Sequence, residues 1–143
     1  MNAYNRYIQD SGELDQINAD GFIIHRGVGF AGNDSRPGVN DGHIHGFNNP
    51  AAQSIHNIGP LPCGWYTASE PFHHATLGEF TFKLIPDAEN EMFGRSAFYM
   101  HGESSKDPLN SSEGCIVMPY ETRVNVARSN VRRFKVVPNG GAQ

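Results

Sequence analysis

Glycine and proline interrupt this chain almost everywhere: sixteen Gly and nine Pro fall within 143 residues. Glycine opens backbone conformations closed to other residues, and proline fixes φ and removes a hydrogen-bond donor. A chain so punctuated turns often. It suits short strands joined by loops better than a helix bundle. One stretch escapes. Pro119 is placed for the first turn of a helix, and Tyr120, Val124, Ala127 and Val131 then recur at i, i+4, i+7 and i+11, one face of an amphipathic helix. No other segment carries a good helix signal.

The strands follow from local pattern. Tyr4 to Ile8 and Glu13 to Ile17, separated by Asp10-Ser11-Gly12, read as a hairpin. Asp20-Gly21 turns the chain into an apolar strand, Phe22 to Ile24. Gly27 to Asn49 is rich in Gly, Asn and Asp and shows neither period, so a long loop is expected; such loops tend to be functional. Gly59-Pro60-Leu61-Pro62-Cys63-Gly64 is a rigid turn leading into Trp65-Tyr66-Thr67. Glu79 to Ile85 alternates, with Phe80, Phe82 and Leu84 on one face. Ala97 to Met100 is a short strand ended by His101-Gly102, and Phe134 to Val137 is a last strand. The expectation is a mainly β fold with one helix after Cys115, as one domain over 1–143.

Bulk chemistry narrows the function. Eleven Lys and Arg against fifteen Asp and Glu give a net charge of −4, which excludes the basic footprint of a nucleic-acid binder. Arg128, Arg132 and Arg133 read as one solvated face. No run nears the ~18 apolar residues of a membrane span. The first residues lack a basic then apolar secretory signal, so a chain made in the cytoplasm is expected, carried outward by some other route if it acts outside. Hydrophobic residues, 38% of the chain, are enough for one core. Two cysteines, Cys63 and Cys115, make neither a disulfide scaffold nor a zinc-finger spacing. A thiol kept for its chemistry remains open.

His101 and Cys115 lie 14 residues apart, joined by a polar stretch between two apolar strands. A loop returning on itself can bring them together. The chemistry needs that, because a free thiol has a pKa of about 8.5 and is mostly protonated near neutrality. An imidazole can take its proton and later give it to a leaving amine. A third group must orient the ring, and the Gly102 carbonyl is a candidate. Gly114 permits close approach of a substrate carbonyl, and the amides of Gly114, Cys115 and Glu113 are candidate oxyanion donors. The alternative is a buried structural cysteine beside a strand-end histidine.

The elements His101-Gly102 and Ser112-Glu113-Gly114-Cys115-Ile116 resemble the signature of L,D-transpeptidases, a histidine followed by Ser/Thr-x-Gly-Cys. The likeness is to the small branch found among type VI secretion effectors. Gly46-Phe47-Asn48-Asn49-Pro50-Ala51 with Gln53, and Gly59-Pro60-Leu61-Pro62-Cys63-Gly64-Trp65-Tyr66, resemble that branch's Asn-Asn-Pro segment and Pro-Gly turn. The helix after the cysteine, with Arg123, fits as well. The resemblance implies an L,D-transpeptidase-like β-sandwich and a Cys115 nucleophile with His101 as base. Gly114, Glu113, Gly102 and Ser112 would orient the site, and Asn48, Asn49 and Arg123 would contact substrate. It implies peptidoglycan tetrapeptide stems as substrate, no cofactor, an L,D-carboxypeptidase or D-amino acid exchange reaction, and action in a target cell's periplasm. An immunity protein and a secretion-apparatus carrier are implied partners.

Three departures stand out. The wider superfamily has His-Gly-Cys where this chain has Glu113-Gly114-Cys115. The stretch from Ser104 to Asn110 lengthens the loop between the pair. His43-Ile44-His45-Gly46 replaces a Tyr-Ser-Gly element. Two other functions compete. A zinc peptidase could draw on His43, His45, His73 and His74, although no HExxH motif exists. A non-enzymatic cell-wall-binding module would keep the fold and not need the thiol. A reversible Cys63–Cys115 disulfide is a further possibility for control.

Overall fold

The computed structural model describes residues 2–34, 45–103 and 112–142. The chain forms β1 (Tyr4–Ile8), β2 (Glu13–Ile17), β3 (Ile23–Val28), a 3-10 turn (Pro50–Ala52), β4 (Gly64–Ala68), β5 (Phe72–His74), β6 (Gly78–Pro86), β7 (Phe98–His101), β8 (Ile116–Val117), α1 (Tyr120–Ser129) and β9 (Arg133–Val137). The mainly β expectation holds, with one α-helix directly after the cysteine among the described residues.

The strands hydrogen-bond in the order β3-β2-β1-β9-β4-β6-β7-β8, with β5 added beside β6. Most pairs are antiparallel; β1 with β9 and β7 with β8 are parallel. The sheet also meets itself. Just past β3, the Phe30 N–H donates to the Val117 carbonyl at 3.0 Å, and the Val117 N–H donates back to the Phe30 carbonyl at 2.8 Å. That bridge ties the β3 end of the path to the β8 end. Side chains from nearly every strand therefore meet in one cluster: Tyr7, Leu14, Tyr66, Phe82, Leu84, Met100, Ile116 and Phe134 are all at most 2% exposed. The two faces of the expected sandwich belong to this one sheet.

The β1–β2 hairpin forms as read, with Tyr4 opposite Ile17 and Tyr7 opposite Leu14. β3 differs from the expected Phe22 to Ile24. It runs on to Val28 because Arg26 reaches across the ladder to Asp15, with Nε and Nη2 donating to the carboxylate at 2.6 and 3.1 Å. Its side chains are mostly exposed, so hydrophobic alternation does not mark it. In β6, Phe82 and Leu84 point inward as expected, while Phe80 sits at φ 49°, bulging the strand so that Thr81 is fully buried.

The helix is in place but turned relative to its apolar stripe. Its buried residues are Thr122, Arg123 and Val126, while Tyr120 is 59% exposed. Arg123 is drawn inward by backbone carbonyls, and this overrides the stripe read through Tyr120, Val124, Ala127 and Val131. Asn130 in the left-handed conformation ends the helix. The three basic residues near it do not form one face. Arg132 pairs with Glu70, Arg133 with Asp87 and over the Trp65 ring, and only Arg128 is simply exposed.

Candidate active site

β7 and β8 run parallel, with Met100 opposite Ile116 and His101 opposite Val117. Met100 and Ile116 are in the core cluster. Side chains alternate along a strand, so Tyr99 and His101 share the other face with Val117 and with Cys115 just ahead of β8. His101 and Cys115 are then diagonal neighbours on one face, roughly 8 Å apart at Cα, within reach for an imidazole and a thiol. The Tyr99 N–H approaches Cys115 Sγ at 3.4 Å, which fixes the register there. Among the described residues no direct hydrogen bond joins the thiol to the ring.

His101 is 3% exposed and its Nδ1 lies 2.7 Å from the Gly102 carbonyl oxygen. A carbonyl only accepts, so Nδ1 carries the proton and Nε2 is the basic nitrogen. The orienting group is the Gly102 carbonyl, as expected. Burial lowers the His101 pKa, the Gly102 bond opposes that, and the charge of Arg123 and the nearby His74 lower it further. Burial pushes the Cys115 thiol up to about 11; the Tyr99 amide opposes this, Glu113 adds to it, and Arg95 and the cysteine's own amide oppose it. Both groups are therefore neutral near pH 7.

The turn carrying Cys115 is built on Ser112, which is fully buried. Its hydroxyl donates to the Cys115 carbonyl at 2.7 Å and accepts from the amides of Gly114 and Gly32, each at 3.0 Å. One donor and two lone pairs are all used. This removes one expected oxyanion donor: the Gly114 N–H is taken by Ser112 and does not face the thiol. The Gly114 carbonyl accepts from the Leu61 N–H at 2.9 Å. Across a trans peptide the Cys115 N–H points the opposite way, off the Gly59–Gly64 turn and toward its own thiol. The Cys115 amide therefore stays on the thiol's side of the turn, where the Tyr99 N–H also approaches Sγ. Glu113 contributes its backbone carbonyl to Arg95 at 3.1 Å, and its side chain acts on the thiol through charge.

Arg95 is a site residue that the sequence reading missed. It is 5% exposed and its guanidinium donates to the carbonyls of Gln53, Pro60, Gly59 and Glu113 at 2.6 to 3.1 Å, over the Phe98 ring. It straps the Pro-Gly turn to the cysteine turn. Gly114 is obligatory beneath it: φ is +130°, and an added Cβ would lie 2.5 Å from Arg95 Nη2 and 2.7 Å from the Phe98 ring. No local pattern announces such an arginine, because its partners are scattered along the chain.

The expected substrate contacts fare differently. Asn48 sits at φ 50° and its Oδ1 accepts from the Ala31 N–H at 3.2 Å. Asn49 caps the 3-10 turn, accepting from the Ala51 N–H, and its Nδ2 donates to the His45 carbonyl. Both side chains help to hold the loop, Asn49 through its oxygen and its Nδ2 and Asn48 through its oxygen. Arg123 stands beside His101. It donates to the Met118 carbonyl at 3.1 Å and to the Glu79 carbonyl, and a side chain on Gly102 would strike it. A cavity of about 270 Å³ beside it is lined by Phe30, Glu103, Val117, Met118, Tyr120 and Arg123 among others.

His43 and the stretch Ser104 to Asn110 lie outside the described residues. His45 contacts Asp34 at 2.7 Å and His73 contacts Glu79 at 2.6 Å. Among the described residues no group of three His, Cys, Asp or Glu side chains is arranged to hold a metal ion. Both cysteines are free thiols; Cys63 Sγ donates to Gln9 Oε1 at 3.4 Å and packs against the core. No helix of the described residues is long and apolar enough to cross a membrane.

A family model described as the Tlde1 domain matches residues 38–139. The fold matches the crystal structure of the L,D-transpeptidase (residues 123–326) from Xylanimonas cellulosilytica DSM 15894, with a TM-score of 0.53 and 15% sequence identity. That match covers 95% of this chain and 60% of the other, so this chain spans less than two thirds of that structure, and the likeness is one of fold. The search of curated proteins found no match.

Proposed function

Since the chain belongs to the Tlde1 domain family, a type VI effector family with an L,D-transpeptidase-like fold, we propose that it is a cysteine-dependent enzyme acting on peptidoglycan tetrapeptide stems. The reaction is L,D-carboxypeptidase cleavage or D-amino acid exchange. One observation carries this reading: His101 and Cys115 share a face of two paired strands, with the imidazole proton fixed on Nδ1 by Gly102.

The geometry supports a base-assisted attack rather than a standing ion pair, because burial favours the neutral form of both groups. Cys115 Sγ bonds to the carbonyl carbon of the third stem residue as its proton passes to His101 Nε2. The carbonyl oxygen takes up the negative charge and meets the Cys115 N–H. Collapse breaks the peptide bond. The D-Ala amine takes the proton from Nε2 and leaves, and a thioester remains. Water, or the amine of a free D-amino acid or of a second stem, then gives a proton to Nε2 and attacks the thioester. The thiolate leaves and regains its proton from the ring. In a delivered effector this would strip or alter the stems of a competitor in its periplasm, with an immunity protein guarding the producer and a secretion-apparatus carrier delivering the chain.

The intermediate itself is testable. Intact-protein mass spectrometry after brief mixing with a disaccharide tetrapeptide is expected to show an added tripeptide acyl mass, mapped to the Cys115 peptide and missing in Cys115→Ala. An adduct at Cys63 or elsewhere, or an unchanged adduct in Cys115→Ala, would overturn the assignment.

A further inference from the structure

Among the described residues, His74 is the imidazole besides His101 that packs against the face carrying Cys115. It ends β5, half-buried, with its ring 5.5 Å from the Tyr99 ring and nearly perpendicular to it. Tyr99 is the residue whose amide approaches Cys115 Sγ. Phe72 completes the patch, 6.1 Å from His74 and 6.4 Å from Tyr99, ring to ring. His74 also lies within electrostatic range of His101.

Its proton is fixed by the turn that follows it. The amides of Thr76 and Leu77 both donate to His74 Nδ1, each at 3.1 Å. A nitrogen accepting two backbone N–H bonds carries no proton, so the ring proton sits on Nε2 and that nitrogen is a donor. The nearby cations are committed elsewhere. Arg95 is spent on four carbonyls, and Arg123, 8% exposed, donates to the carbonyls of Met118 and Glu79. A fixed N–H donor packed on Tyr99, whose amide approaches the Cys115 thiol, suits an anionic oxygen of the substrate. In the reaction proposed above, the carboxylate of the departing residue lies three bonds from the attacked carbon, under about 4 Å. The side-chain carboxylate of a diaminopimelate is several bonds farther out.

We infer that His74 binds the C-terminal carboxylate of the peptide substrate and thereby selects stems that end in a free D-amino acid. This rests on the proposed reaction for the identity of the peptide. His74 is a specificity residue, acting on the leaving end while Cys115 and His101 act on the carbonyl.

The test is a binding measurement in the Cys115→Ala protein, where no turnover intervenes. Calorimetric titration would compare a tetrapeptide ending in free D-Ala, the same peptide as its C-terminal amide, and a free-acid peptide with Lys replacing diaminopimelate. A hydrogen bond to a charged partner predicts that the free acid binds about tenfold or more tighter than the amide. The Lys peptide should keep that advantage. His74→Asn is the informative variant, since its Oδ1 can still accept the Thr76 and Leu77 amides while nothing replaces Nε2. In the Cys115→Ala/His74→Asn protein the acid and amide should bind alike. Equal binding of acid and amide with His74 present, or an unchanged preference in His74→Asn, would overturn the inference. So would loss of the preference on the Lys peptide, which would move the contact to the diaminopimelate side chain. A clear acid preference with no conversion of muropeptides by the wild type would instead leave the carboxylate site standing and defeat the proposed reaction.

Discussion

At Cys115 the opposing influences on the thiol can be ranked. Burial raises its pKa, and the amides of Tyr99 and Cys115 with the charge of Arg95 do not undo that, leaving a value of about 11. His101 moves the other way, because burial disfavours its imidazolium. A thiol of this kind is about one part in ten thousand thiolate at pH 7. Alkylation of Cys115 by iodoacetamide without substrate, followed by peptide mapping to separate Cys63, should therefore rise about tenfold per pH unit from 7 to 10. A rate that levels off below pH 7 would mean a preformed thiolate–imidazolium pair. Gly114 tests the turn in the same way. Gly114→Ala places a methyl against Arg95 and Phe98 at φ +130°, and should cost about 2–4 kcal/mol of stability together with the activity. Thermal unfolding with the muropeptide assay reads both, and a stable, active variant would show that the turn is not held as described.

Between elements, the site depends on contacts that hydropathy does not encode. The sequence reading recovered β1, β2, β4, β9 and the β7–turn–β8 unit, because Gly, Pro and period-2 alternation mark them. It shortened β3, whose Arg26–Asp15 contact replaces apolar burial. It had no signal for β5, three residues long. It turned α1 the wrong way, because the residue pulled inward is an arginine satisfied by carbonyls. The Asn48-Asn49 pair also has an architectural part that the motif alone did not announce, bonding the loop backbone at Ala31, His45 and Ala51. Arg95 was invisible for the reason that makes it useful, namely that one side chain ties Gln53, the Gly59-Pro60 turn and Glu113 together. Arg95→Met should leave those buried carbonyls unpaired and destabilise the fold by roughly 3–5 kcal/mol, as for other broken buried charge networks. Arg95→Lys should recover only part, since an ammonium lacks the planar fork. Urea unfolding monitored by Trp65 fluorescence would measure both. A loss under about 1 kcal/mol for Arg95→Met would remove Arg95 as the strap.

Over the whole molecule, one closed sheet explains why residues so far apart in sequence share a site. The Phe30–Val117 bridge joins the N-terminal hairpin region to the strand after Cys115. The parallel pairing of β7 and β8 then sets His101 diagonal to Cys115. The pair itself was legible in the sequence, as was the Gly102 carbonyl that orients the ring; the amide geometry was not, because Ser112 competes for the Gly114 N–H. The membership of a type VI effector family gives the pair a biological setting, and the chemistry proposed within it rests on Cys115. Purified muropeptides incubated with wild-type and Cys115→Ala protein, and read by mass spectrometry, test that most directly. The expected result is a shift from tetrapeptide to tripeptide, or incorporation of an added D-amino acid at position four, by the wild type only. Muropeptides left unchanged by the wild type, or converted equally by Cys115→Ala, would contradict it.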